Sequence, residues 1–211
     1  MSQGSVVSDR LGKLYAASFV LAGVSLALWA TIHPWGTIAG PEVGGSTRWL
    51  ISHTFHFTGG LFASIGLLGL HQRLAGGTRL EGIGYMTAFV GSVMFTGTGI
   101  ITAFVWPIFA EHAPALTELT GPIFSPPHPV IGITAVLFSL GFLLLWVALA
   151  RQGTLAKGVA GAASLGALLL VPPPPPLSPV PWIILPIGGV LFGVGLVSLA
   201  PLISRSREAR A

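Results

Sequence analysis

The spacing of the charged residues constrains the fold of this chain more than any other feature. Between Lys13 and Arg205 such residues are few, and they fall only at breaks between long apolar runs. A helix needs about 20 apolar residues, within a range of about 17–25, to cross the hydrocarbon core of a bilayer. The sequence therefore predicts an all-α protein with one polytopic transmembrane domain over residues 1–211. Its six predicted spans are residues 14–33, 49–71, 82–106, 129–150, 155–171 and 182–204.

The composition excludes a soluble globular domain. Charged residues make up 8% of the chain and mean hydropathy is +0.83, whereas soluble domains average about 25% charged residues. So few charges cannot cover a surface that faces water. The chain has no cysteine, which excludes thiolate nucleophiles, iron–sulfur clusters and zinc–thiolate sites.

The basic residues predict the orientation of the bundle. Nine of the ten fall on one predicted side of the membrane, and only Arg48 falls on the other. The positive-inside rule then predicts that both termini are cytoplasmic. The net charge of +4 does not indicate a nucleic-acid partner, because the basic residues are distributed along one side of a membrane domain.

Four tryptophans are expected at the outer membrane boundary, where indole rings favour the level of the lipid headgroups. They are Trp35, Trp49, Trp106 and Trp182. Small residues also recur at helical spacing, as in Gly59, Ala63 and Gly66 of the second run and Gly189 and Gly193 of the sixth. Small residues let helix backbones approach closely in lipid. We expect them to mediate packing within the bundle, with a face between two copies as the alternative.

The histidines give the clearest functional indication. Five of the six fall on the predicted outer side. His53 and His56 are three residues apart and share a helix face, which continues into small residues of the second span. His128 stands at the start of the fourth span above a similar track, formed by Gly132, Ala135 and Ser139. If the two tracks face each other, the imidazoles converge, and His33 at the end of the first span joins them.

Such a histidine cluster suits metal chemistry. Neutral imidazole binds zinc, copper, nickel or iron, and two opposed imidazoles can hold haem b. The predicted ligands are His53, His56 and His128 for haem, and these three with His33 for a copper-like or zinc-like ion. The alternative is a structural cluster whose rings bond to nearby carbonyls or hydroxyls, or line a shallow wet cavity.

Several functions are disfavoured by what the predicted spans lack. No Asp, Glu, Lys or Arg falls deep within any of them, whereas proton relays and ion-coupled transporters place ionisable groups there. The acids fall in predicted loops and tails, Glu81 among them, at the end of the loop over residues 72–81. The third span carries hydroxyl residues that either line a pocket or pack internally. No catalytic constellation is visible, so an enzymatic role is left open and not favoured.

Three functions are therefore expected, in this order. The first is a non-catalytic subunit or scaffold of a membrane protein complex, whose partners are the lipid bilayer and other membrane subunits or further copies of the chain. The second is a redox or metal-binding membrane protein that uses the outer histidines. The third is a carrier for a neutral or lipid-like molecule.

Three segments carry a resemblance. They are residues 49–53 (WLISH) leading to 66–71 (GLLGLH), residues 103–107 (AFVWP), and the glycine-rich last span. Together they resemble uncharacterised six-span integral membrane proteins of bacteria, of actinobacterial and Chloroflexi type. The resemblance implies a helical bundle in a bacterial inner (plasma) membrane. It implies no function and carries over no site residue.

Overall fold

The structure, a computed structural model, describes residues 3–35, 41–73, 77–117, 130–170 and 184–204. In these ranges every regular element is helical. The α-helices are α1 (Gln3–Ile32), α2 (Pro41–Gly44), α3 (Thr47–Arg73), α4 (Arg79–Ile100), α5 (Trp106–His112), α6 (Val130–Arg151), α7 (Lys157–Leu169), α8 (Ile184–Val197) and α9 (Ala200–Ser204). A π-helical turn, Ile101–Val105, joins α4 to α5, and a 3-10 turn, Pro114–Thr117, follows α5.

Four helical segments are long and apolar enough to cross a membrane, namely Arg10–Ile32, Arg79–His112, Val130–Arg151 and Ile184–Ser204. They indicate a membrane protein, as the sequence predicts. Helix α3 is long but is the least apolar of the long helices, because it carries histidines, hydroxyl residues and glycines. Helix α7 has 13 residues, fewer than the roughly 17 that a span requires. The six-span count therefore stays a prediction.

The helices form a closed ring in which neighbours run antiparallel. Around the ring the order is α1, α3, α4, α6, α7, α8 and back to α1. Glycines set the closest approaches between neighbours. Gly66 of α3 lies against Phe19 of α1, and a side chain on Gly91 of α4 would overlap the backbone of Phe138 in α6. The prediction that small residues pack within the bundle is confirmed at these positions.

The glycine pair of the last long helix follows the same rule. Gly193 of α8 lies against the Gly23 carbonyl of α1, and a Cβ on Gly189 would overlap Ala30. Both glycines are buried. This pair therefore packs α8 on α1 and is not available as a face between two copies.

Aromatic rings fill the centre of the ring of helices. Phe138, Phe142, Trp146 and Phe192 are each at most 1% exposed. The Phe192 ring centre lies 5.1 Å from that of Phe138, 5.4 Å from Phe142 and 5.0 Å from Trp146. Rings at such separations pack edge to face or offset, so this level of the bundle is occupied by side chains.

The two ends of the bundle differ in chemistry. One, here called the histidine end, is where α1 ends, α3 begins and the π-helical turn leads into α5. The other, here called the arginine end, is where α3 ends, α4 begins, and α6 turns into α7. It carries Arg73, Arg79, Arg151 and Lys157, whereas Arg48 lies at the histidine end.

Candidate functional site

Three of the four predicted ligand histidines meet at the histidine end. His33 directly follows α1, while His53 and His56 lie on one face of the first turns of α3. The ring centres of His33 and His53 are 4.9 Å apart, and those of His53 and His56 are 5.7 Å apart. All three side chains are buried, with exposures of 6%, 4% and 8% in chain order. The sequence made convergence conditional on two facing tracks of small residues, and the structure brings these three residues together.

Large aromatic rings enclose the three imidazoles. The His33 ring centre lies 4.0 Å from that of Trp35, and the His53 ring centre lies 4.0 Å from that of Trp49. His56 is 4.9 Å from Trp29 and 3.9 Å from Phe95. The histidines therefore stand in an apolar, aromatic surrounding. We call Trp29, His33, Trp35, Trp49, His53, His56 and Phe95 the imidazole–indole cluster.

A hydrogen bond from Trp49 ties this cluster to the π-helical turn. The Trp49 indole N–H donates to the Thr102 carbonyl at 2.7 Å, and its ring stacks on Trp106 at 5.9 Å between ring centres. A π turn departs from the regular i to i−4 pattern and occurs often at functional sites. Predicted as boundary residues, Trp49 and Trp106 are 5% and 2% exposed. Their level at the outer membrane boundary stays a prediction, but neither ring faces lipid, because each indole packs into the bundle.

The backbone fixes the orientation and tautomer of His53. Its Nδ1 lies 3.0 Å from the Trp49 carbonyl oxygen, and since a carbonyl only accepts, Nδ1 carries the proton and donates. Nε2 is then the nitrogen with a free lone pair. Histidines that bind metals usually donate their other ring N–H to a carbonyl or carboxylate in this way.

Four side-chain nitrogens of the cluster have no hydrogen-bond partner, whereas the Trp35 indole N–H donates to the Ala30 carbonyl. Six buried side-chain nitrogen or oxygen atoms in the described ranges lack a hydrogen bond, and four of these belong to the cluster. They are Nε1 of Trp29, Nδ1 of His33, and both Nδ1 and Nε2 of His56. An unsatisfied buried polar atom costs about 1–3 kcal/mol. A concentration of such atoms at one end of a well-packed bundle is the main anomaly of this structure.

A haem group does not fit the cluster as it stands. The His56 ring is in contact with Trp29 and Phe95, which also touch each other with ring centres 5.5 Å apart. No partnerless nitrogen of the cluster has appreciable exposed surface. A planar macrocycle would have to displace several of these rings. A single metal ion is much smaller than haem, but as the side chains stand no group of three His, Asp or Glu residues in the described ranges can hold one.

His128 lies outside the described residues, so its predicted place in the site stays a prediction. The expectation that tracks of small residues on α3 and α6 face each other is wrong, because α4 lies between these two helices in the ring. Gly60 of α3 packs on Thr96 of α4, whereas Gly132 of α6 faces open space. The two tracks of small residues do not face each other. The imidazoles converge instead because α1 and α3 are direct neighbours.

The other two histidines are separate from the cluster. His71 stacks on Tyr85 near the arginine end, with ring centres 4.4 Å apart. The His112 side chain is 69% exposed at the end of α5, beside the exposed Glu111. His71 and His112 are therefore suitable control positions for substitutions of the cluster histidines.

The hydroxyl residues of α4 and the following turn bond to their own helix. Ser92 donates to the Ala88 carbonyl at 2.7 Å, Thr96 to Ser92 at 2.8 Å, and Thr102 to Thr98 at 2.8 Å. Such bonds satisfy a hydroxyl without a ligand. This arrangement supports internal packing over a hydroxyl-lined pocket for a neutral solute. A groove of about 510 Å³ opens at the surface beside Arg79, Gly82, Ile83, Met86 and Thr87.

Sequence reasoning missed a polar pair at the arginine end, formed by a buried carboxyl and an exposed amide. Expected in a loop, Glu81 lies in the first turn of α4 and is 5% exposed. Its carboxyl accepts from the Gln152 amide at 2.6 Å, and its backbone N–H donates to Thr78 Oγ1 at 3.3 Å. The capping pattern Thr-x-x-Glu is the signal that could have located this helix start. Gln152, which follows α6, was not identifiable as its partner.

This chain matches no protein-family model, and neither a curated protein nor a solved structure is significantly similar to it. The resemblance to bacterial six-span proteins therefore stays a prediction. The functional argument rests on the geometry of the bundle.

Proposed function

We propose that this chain is a non-catalytic integral membrane subunit or scaffold of a membrane protein complex. One observation carries the proposal: the described interior is filled by aromatic rings and glycine-mediated backbone contacts, while large apolar side chains cover the outside. Phe142 and Phe192 at the centre are fully buried, whereas Ile83, Ile133 and Val194 on three different helices are 57%, 47% and 54% exposed. A filled bundle suits a packing role better than transport.

The proposed setting is a bacterial plasma membrane with both termini in the cytoplasm. Basic residues are concentrated at the arginine end, and this distribution supports the orientation because it agrees with the positive-inside rule. An ordinary lipid-facing surface would also be apolar. The experiment therefore has to distinguish protein contacts from lipid contacts.

Site-specific photo-crosslinking in native membranes tests the proposal. A photoreactive residue replaces, one at a time, the outward-facing Ile83, Ile133, Leu168 and Val194, and Phe192 provides the buried control. We expect one outward face to give a single stoichiometric crosslink to a protein or to a second copy. The same assembly should survive purification in mild detergent.

A uniform pattern of lipid adducts from all four outward positions, together with a monomer in mild detergent, would overturn the proposal. Crosslinking from the Phe192 position would show instead that the bundle had opened. That outcome would contradict the filled interior on which the proposal depends.

A further inference from the structure

Beyond its role as a subunit, we propose that this chain binds one divalent first-row transition metal ion, Zn²⁺ or Cu²⁺, at His33, His53 and His56. The first step of the argument concerns spacing. Two imidazoles on one tetrahedral zinc ion, with Zn–N distances of about 2.0–2.1 Å, have ring centres roughly 5 Å apart. The His33 and His53 ring centres are 4.9 Å apart, and those of His53 and His56 are 5.7 Å apart.

The second step concerns the donor atoms. His53 already donates its Nδ1 proton to the Trp49 carbonyl, which leaves Nε2 free to bind a metal. Nδ1 of His33 and both nitrogens of His56 have no partner. Binding one ion would satisfy a nitrogen of each ring at once, and imidazole is a preferred ligand of zinc and copper.

The third step concerns rearrangement. As the side chains stand, no group of three His, Asp or Glu residues in the described ranges can hold a metal ion, so the site forms only if His33 and His56 turn about their side-chain bonds. Turning His56 breaks no side-chain hydrogen bond, because neither of its ring nitrogens makes one. His53 keeps its orientation through the Trp49 carbonyl and serves as the fixed ligand.

Aromatic neighbours favour an ion over a larger ligand. The partnerless nitrogens have almost no accessible surface, so an organic molecule would need a cavity that the cluster does not offer. A metal ion needs only the space between the ring nitrogens that bind it.

The test is titration of the full-length protein in mild detergent with Zn²⁺ or Cu²⁺ alone, after treatment with a chelator. Elemental analysis gives the stoichiometry, and tryptophan fluorescence reports binding of Cu²⁺, since Trp29 and Trp49 adjoin the histidines. We expect one ion per chain and quenched fluorescence. His53→Ala and His33→Ala should each weaken binding at least 10-fold.

Matched controls are His71→Ala and His112→Ala, which remove histidines outside the cluster and should leave affinity unchanged. His53→Gln and His33→Gln keep a polar side chain of similar size, and they preserve the test if the alanine variants fail to fold. No stoichiometric ion in the wild type would overturn the inference. So would an affinity that depends on His112 and is insensitive to His33 and His53. Neither result depends on the crosslinking pattern, so the metal site and the subunit role are tested independently.

Discussion

A buried carboxyl at the arginine end has a hydrogen-bond partner, whereas a buried imidazole at the histidine end has none. At the arginine end, Glu81 is 5% exposed and its carboxyl is hydrogen-bonded to Gln152. At the histidine end, His56 is 8% exposed and neither ring nitrogen has a partner. Both ends belong to the same closely packed helices, so loose packing does not explain the difference.

This contrast distinguishes a structural polar group from a functional one. A polar group that only stabilises a fold is normally paired when it is buried. The proposed metal site depends on the partnerless nitrogens of the imidazole–indole cluster. Four pairs of substitutions test the contrast, beginning with the largest expected effect.

Glu81→Ala should lower the free energy of unfolding by about 2–3 kcal/mol, because it removes a buried hydrogen-bonded carboxyl that joins α4 to the end of α6. Unfolding by a denaturing detergent would measure the change. Glu111→Ala is the control, since that side chain is 76% exposed, and it should change stability by less than about 0.5 kcal/mol. Equal effects of the two substitutions would show that Glu81 is not a structural link.

Trp49→Phe and Trp146→Phe form a matched pair of buried substitutions. Both remove the same atoms, but the Trp49 indole N–H donates to the Thr102 carbonyl and the Trp146 indole N–H has no partner. The Trp49 variant should lose about 1 kcal/mol more stability than the Trp146 variant. Thermal unfolding in mild detergent compares them. A larger loss for Trp146→Phe would contradict the hydrogen-bonded role of Trp49 at the π-helical turn.

His56→Phe should stabilise the metal-free protein by about 1 kcal/mol, because a ring of similar size replaces two unpaired buried nitrogens. His53→Phe should destabilise it by about 1 kcal/mol, because it breaks the bond to the Trp49 carbonyl. Both variants are measured with a chelator present. If both lose stability equally, His56 has a partner in the metal-free protein and the contrast between the ends disappears.

Gly82→Ala should stabilise α4 by about 0.5–1 kcal/mol, because alanine favours a helix and nothing lies within 4 Å of the new methyl group. Gly84→Ala, two residues further along, should destabilise the protein by about 1–3 kcal/mol. Its methyl group would lie 2.7 Å from the backbone nitrogen of Leu145. The opposite signs, measured by thermal unfolding, would locate the packed face of α4 at the arginine end. If neither substitution lowered the stability of the protein, the packing of Gly84 against α6 would be contradicted.

The separation of apolar runs by sparse charges was enough to predict helices that cross a membrane, because bilayer thickness and helix rise set the length of such runs. The asymmetry of the histidines likewise predicted that His33, His53 and His56 lie at one end, since helices joined by short loops return to the same side. The glycines of α8 were correctly expected to pack within the bundle. None of these conclusions requires knowing which helices are neighbours.

Tertiary structure decided the rest, because it depends on contacts between residues far apart in the chain. Trp49 and Trp106 are as compatible in sequence with a lipid boundary as with a core, and contacts between distant residues, among them their mutual stacking and the bond to Thr102, bury them. The order of helices around the ring separates α3 from α6 and joins α3 to α1. Helical periodicity determines which residues share a face, but only packing between helices determines which face meets which neighbour and which buried nitrogens are left unpaired.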